Sequence, residues 1–207
     1  MESALEARLA AFLGEKKLRT VKRLGGGWSS EIFMVRNAKG KKFAAKIERG
    51  DSTRHRMAER ESENLRAANS AGVGPKLTGF DLEKRAILME FVRGKTFGEW
   101  LFSNPGKKQL EGFVKGLLKQ AKALDAVGLD HGQLAGKGAN ILVRKKKGEF
   151  LPVIIDFEKA SAHRKCHNTA VIEAFLFRNP RGAAAKRVGE ILGKACAEKI
   201  INPGGHK

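Results

Sequence analysis

Apolar side chains at Leu5, Leu9, Phe12 and Leu13 recur at three-to-four spacing, which predicts a short amphipathic helix from Ser3 onward whose role is packing. From Arg19 to Glu48 the period drops to two. Alternating runs at Thr20–Leu24, Glu31–Val35 and Lys42–Ile47 predict three strands, and the glycine-rich turn and Asn37-Ala38-Lys39-Gly40 join them into an antiparallel meander. Asp51 and Ser52 are suited to cap the charged helix that follows, which carries Arg54 to Arg66 and stops at Gly72 ahead of Pro75. Strands around Leu77–Leu82 and Ala86–Phe91 complete a sheet of five with one helix.

Beyond Gly94 the pattern becomes mostly helical. Leu110, Phe113, Val114, Leu117, Leu118, Ala121 and Leu124 form one long apolar stripe, the mark of a core helix. A glycine-rich loop at Gly132–Gly138, two short strands at Ile141–Val143 and Leu151–Ile155, and helical patterns at Thr169–Phe177 and Gly182–Ile200 close the chain. The expectation is an α+β protein of two lobes hinged near Val92–Gly94. Residues 1–92 form a sheet-rich first lobe and residues 93–207 a reduced, mostly helical second one.

The 207 residues are 42% apolar, enough for a sizeable core. Lysine and arginine number 41 against 22 acids, a net charge of +19, which points to an anionic partner such as nucleotide, RNA or a ribosomal particle. By segment the charge is +7 over 1–50, +1 over 51–100, +6 over 101–150 and +5 over 151–207, so only the second quarter is spared. The one dense run, Arg144-Lys145-Lys146-Lys147-Gly148, sits where a hairpin turn would, and such runs are most often solvated turns. Two cysteines without a CxxC pair and a charged N-terminus fit a cytoplasmic protein rather than a secreted one. No apolar run approaches the roughly 20 residues of a membrane span, so no membrane association is expected.

Five segments carry candidate chemistry. Gly25-Gly26-Gly27-Trp28-Ser29-Ser30-Glu31-Ile32 is a glycine-rich turn between strands, where backbone N–H groups can approach phosphates closely. Lys46, in Ala44-Ala45-Lys46-Ile47, lies on the third strand; Glu61 on the next helix is preferred to Glu59 and Glu63 as its ion-pair partner. Met89-Glu90-Phe91-Val92 ends the last strand at the lobe junction. Asp130-His131-Gly132-Gln133-Leu134 with Asn140, and Ile155-Asp156-Phe157-Glu158, fall in the second half. A carboxylate directly after a buried apolar strand is costly unless it meets a cation, so Asp156 reads as an Mg²⁺ ligand better than as core.

In this order the segments resemble the protein kinase-like superfamily over about Arg19–Phe177. They are most similar to its small atypical Ser/Thr members: the RIO-type kinases, the tRNA-modification-complex kinase and the predicted archaeal kinases. The resemblance implies ATP and Mg²⁺ as cofactors. Gly25, Gly26, Gly27, Trp28, Ser29, Ser30 and Ile32 would cover the phosphates, and Ala44, Met89 and backbone groups of Glu90 and Val92 would hold adenine. Lys46 held by Glu61 would neutralise phosphate charge, with Asn140 and Asp156 on the metal.

Two positions depart from the kinase pattern. Gln133 stands where the catalytic Asp belongs, and an amide accepts no proton from a hydroxyl at neutral pH; Asp130 or Glu158 is a nearby alternative source of a carboxylate. Asn140 follows Gln133 by seven residues instead of five, a difference that Gly136 and Gly138 can absorb. His163, Cys166, His167 and Cys196 match no zinc spacing. Trp28 is read as packing on the sheet in preference to covering a nucleotide, and Trp100 as core. The functional expectation is an ATP-Mg²⁺-dependent phosphotransferase acting on protein or on itself, or ATPase-like because of Gln133. The alternative is a catalytically weak nucleotide-binding scaffold docked on RNA or a ribosomal particle through its basic surface.

Overall fold

The computed structural model describes residues 2–50, 56–136 and 138–202, of an α+β protein. The chain divides into two compact units, Met1–Asn69 with Pro75–Val92, and Ser70–Gly74 with Arg93–Lys207.

In the first unit, helix α1 (Glu2–Glu15) precedes strands β1 (Leu18–Gly26), β2 (Ser30–Asn37) and β3 (Lys42–Glu48), then helix α2 (Met57–Ser70) and strands β4 (Leu77–Asp81) and β5 (Ala86–Glu90). The five strands are antiparallel throughout, in the order β1-β2-β3-β5-β4. Leu9, Phe12 and Leu13 of α1 pack with Leu18, Val35, Ala45, Ile47, Ala86 and Leu88, so the first helix covers one face of this sheet. The caps expected at Asp51 and Ser52 lie outside the described residues. The first two N–H groups of α2, those of Met57 and Ala58, donate to Glu48 Oε2 at the end of β3. At the other end of α2, the Asn69 amide donates to Pro75 O at 3.0 Å and accepts from Leu77 N–H at 2.7 Å, tying the helix to β4.

The second unit holds a three-stranded sheet of β6 (Gly94–Thr96), β7 (Ile141–Lys146) and β8 (Glu149–Ile154), with helices α3 (Phe97–Leu101) and α4 (Lys107–Ala126). Strand β6 is unforeseen, because three residues, Gly-Lys-Thr, are too few to show a period. Lys147 and Gly148, both at positive φ, make the two-residue β7–β8 turn, and the basic run of residues 144–148 occupies that hairpin end. All seven stripe residues of α4 are buried, Phe97 stacks on Phe113 at 5.3 Å, and Trp100 is core as expected. The pattern over Thr169–Phe177 resolves into α5 (Asn168–Glu173) followed by one π-helical turn, Ala174–Arg178. The pattern over Gly182–Ile200 is not one helix but two, α6 (Ala183–Leu192) and α7 (Lys194–Ile201). Gly193, at φ +77°, interrupts the ladder that a periodicity count carries straight through. No helix among the described residues is long and apolar enough to cross a membrane.

Candidate active site

The glycine-rich turn closes the β1–β2 hairpin, with Gly27 N–H donating to Ser30 O at 2.8 Å. Ser29 and Ser30 are buried, whereas Trp28, 78% exposed, does not pack on the sheet. Gly26 has a specific reason to be glycine. A Cβ there would stand 2.5 Å from Glu31 Oε2, in a carboxylate already fixed by Arg23 Nε at 2.5 Å and Arg49 Nη1 at 2.9 Å.

Cross-strand partners share a face, so the ladder sorts the adenine and phosphate candidates. Ile32 pairs with Lys46 and Lys46 with Ile87; Ala44 pairs with Met89. This row alternates with Ala45 and Ile47, which face α1, so it lies on the opposite side of the sheet. Lys46 is buried and its Nζ lies 2.6 Å from a Glu61 oxygen, itself buried; Glu59 pairs with Arg56 and Glu63 is exposed. Two desolvated, oppositely charged groups in contact hold each other in place. The Glu90 N–H donates to Lys76 O at 2.8 Å, and Val92 follows the strand end and is buried.

In the second unit the loop after α4 is held by a polar network. Asp125, in the last turn of α4, accepts from the N–H and side chain of both Asn168 and Thr169, at 2.6–3.0 Å, and so caps α5. Burial works against the Asp125 carboxylate, but these four bonds outweigh it and hold the carboxyl below its ordinary value. Asn168 Oδ1 accepts the His131 N–H at 2.9 Å, and its amide donates to Leu129 O at 2.8 Å. His131 is fully buried. Its Nδ1 accepts from Gln133 N–H, so Nε2 carries the proton and donates to Ile155 O at 3.0 Å. Burial pushes this imidazole below its usual range, favouring the neutral form that both bonds require.

Asp130, the nearest carboxylate before Gln133, is held in an ion pair. Its carboxylate is buried against Arg164 Nε at 2.9 Å and His167 Nδ1 at 3.3 Å, and its backbone bridges to Ser161. Arg164 also donates to Lys159 O, and both groups press on Gly132, whose φ of +77° already excludes most side chains. Gln133 is half-buried and borders a cavity of about 230 Å³ shared with Leu134, His167 and Val171. The Asn140 amide donates to Gln133 O at 3.1 Å and its own carbonyl accepts from Ile155 N–H, so the longer loop still joins Gln133 to the strand before Asp156.

Asp156 has left-handed backbone (φ 65°, ψ 72°), which costs a residue with a Cβ about 1 kcal/mol or more. A short 3₁₀ turn, Phe157–Lys159, follows; Phe157 packs edge-on to His131 at 4.9 Å, and buried Glu158 brings a carboxylate oxygen within 4.8 Å of one from Asp156. Two hard oxygen donors this close fit Mg²⁺. Among the described residues His163, Cys166, His167 and Cys196 join no such cluster. Asp125, Asn168 and Arg164 went unrecognised in the sequence. The available signal was Asn168-Thr169 at the start of an apolar-periodic run, a helix-cap pair whose partner lies 43 residues away.

Comparison with curated proteins finds no match. Residues 34–178 match the RIO domain, a span that runs from β2 through α5 and includes Lys46, Glu61, the residue 130–140 loop and Asp156. With the five-stranded antiparallel sheet, the helix-borne glutamate and the loop-borne aspartate in place, the chain belongs to the RIO domain family of atypical, ATP-binding, protein kinase-like proteins.

Proposed function

We propose that this protein is an ATP-Mg²⁺-dependent phosphotransferase of the atypical Ser/Thr kinase type. The observation that carries the reading is the buried Lys46–Glu61 pair at 2.6 Å, since a lysine so desolvated needs a reason to be charged there. In the first unit, Gly25–Ser30 offer backbone N–H groups to phosphates, Lys46 meets phosphate charge, and Ile32, Ala44 and Met89 give adenine an apolar wall. In the second, Asp156 would hold Mg²⁺ with Asn140 and Glu158. The ion, when bound, neutralises charge building on the transferred phosphoryl group. His131 keeps the loop registered to Ile155, and Gln133 orients the acceptor by hydrogen bonding without taking its proton.

The missing base slows the step without abolishing it. General-base help is worth on the order of 10²–10⁴-fold, whereas phosphoryl transfer rests mainly on positioning and charge. A second reading, the nucleotide-binding scaffold, is favoured by Asp130 being locked to Arg164, which leaves no carboxylate from Gly128 to Gly136 to replace the base. Incubation with γ-labelled ATP and Mg²⁺, following label on protein and free phosphate, separates the two. Transfer or hydrolysis that vanishes in Asp156→Ala and rises in Gln133→Asp is the expected result. Binding of ATP with no release or transfer in any variant assigns the scaffold.

A further inference from the structure

Lys46 and Glu48 are two residues apart on β3, so both face α2 while Ala45 and Ile47 face α1. Glu48 is 2% exposed, unusual for a carboxylate. Its Oε2 accepts from Met57 N–H at 3.1 Å and Ala58 N–H at 3.4 Å, and its Oε1 makes no hydrogen bond, lying 3.6 Å from Arg85 Nη1. The backbone beneath is pinned as well: Glu48 N–H donates to Arg85 O, and Glu48 O accepts from Arg8 Nη2 at 2.6 Å.

The strand therefore grips the helix twice. Glu48 holds its first turn and Lys46 holds Glu61, four residues after Met57. A two-residue strand step is about 6.6 Å and four helical residues rise about 6 Å, so the two grips are commensurate. An ordinary cap supplied by the preceding loop would satisfy the same N–H groups but leave the helix free to slide on the sheet. A cap supplied by β3 fixes the helix to the strand that bears the lysine, and a negative charge at a helix N-terminus is favourable.

We propose that Glu48 is a positioning residue for nucleotide binding: by capping α2 from β3 it sets where Glu61 meets Lys46, and thereby where the ammonium is presented to the phosphates of ATP. The proposal rests on Lys46 being the phosphate-binding lysine. It is tested by measuring MgATP and adenosine affinity, with melting temperature alongside, for wild type, Glu48→Gln, Glu48→Ala, Lys46→Ala and the Glu48→Ala/Lys46→Ala double variant.

Glu48→Ala is expected to weaken MgATP about five- to tenfold, the scale of a lost cap, and to leave adenosine affinity unchanged. Glu48→Gln, which keeps an acceptor oxygen, recovers most of the loss. The double variant binds MgATP no more weakly than Lys46→Ala, although its melting temperature is lower. Equal losses for MgATP and adenosine, or a full additional loss in the double variant, overturn the proposal as a mere stability effect. Wild-type affinity in Glu48→Ala and Glu48→Gln beside a weakened Lys46→Ala overturns it alone. Wild-type affinity in Lys46→Ala overturns the reading of the lysine, and Glu48's role with it.

Discussion

His131 shows how one side chain can join two loops. It accepts from Gln133 N–H, donates to Ile155 O and packs on Phe157, so the loop that begins at His131 and the one that follows Ile155 are both set by an imidazole that must stay neutral. Its lowered pKa makes this a pH-dependent support. The unfolded chain takes up a proton near 6.5 and the folded one only at lower pH, so stability is full above that value and declines as pH falls below it. NMR titration of the His131 ring should give a midpoint below that of an exposed histidine, and His131→Asn should flatten the fall of melting temperature between about pH 7 and 5. A midpoint at or above 6.5 contradicts the burial argument.

At the scale of elements, helices are held by partners that their own sequences do not name. The α2 N-terminus is capped from β3 by Glu48, and the α5 N-terminus from α4 by Asp125. Through Asn168 the second cap reaches the His131 N–H, so helix packing and loop conformation are one network. Removing Asp125 strands buried donors, and we expect Asp125→Ala to cost about 2–4 kcal/mol in denaturant unfolding, with Asp125→Asn losing part of that. Because its carboxyl is held below 3.8, this contribution is intact above about pH 4 and disappears on acidification below it. A melting curve for Asp125→Ala within 0.5 kcal/mol of wild type would show that the network is dispensable.

For the whole molecule the governing quantity is the net charge of +19, which bears on partners and not on fold. Arg144 to Lys147 concentrate four of these charges at one hairpin end. If the protein binds RNA as a scaffold, a single-stranded oligonucleotide should lose affinity steeply with salt. Replacing those four residues by Gln should then reduce the slope of log K against log salt by up to about 3. An unchanged slope removes the hairpin from consideration as the contact.

The strand meander, the buried stripe of α4 and the order of the motifs are legible in the chain, because each follows from a period or a short spacing that it carries locally. For Lys46, by contrast, the chain offers Glu61 only as a preference over Glu59 and Glu63, and their 2.6 Å contact is one between a strand and a helix. The residue type at Gln133, an amide that takes up no proton at neutral pH, is likewise read directly from the chain. The tertiary structure alone decided that Asp130 is locked to Arg164, that Asn140 reaches Gln133 despite the longer loop, that Trp28 stands in solvent, and that Gly193 splits the last helix. It alone placed Glu48 and Asp125 as caps. The Asp130 ion pair and the two caps depend on which groups compete for the same donors across 9 to 44 residues of chain, and burial settles that competition where local pattern is silent.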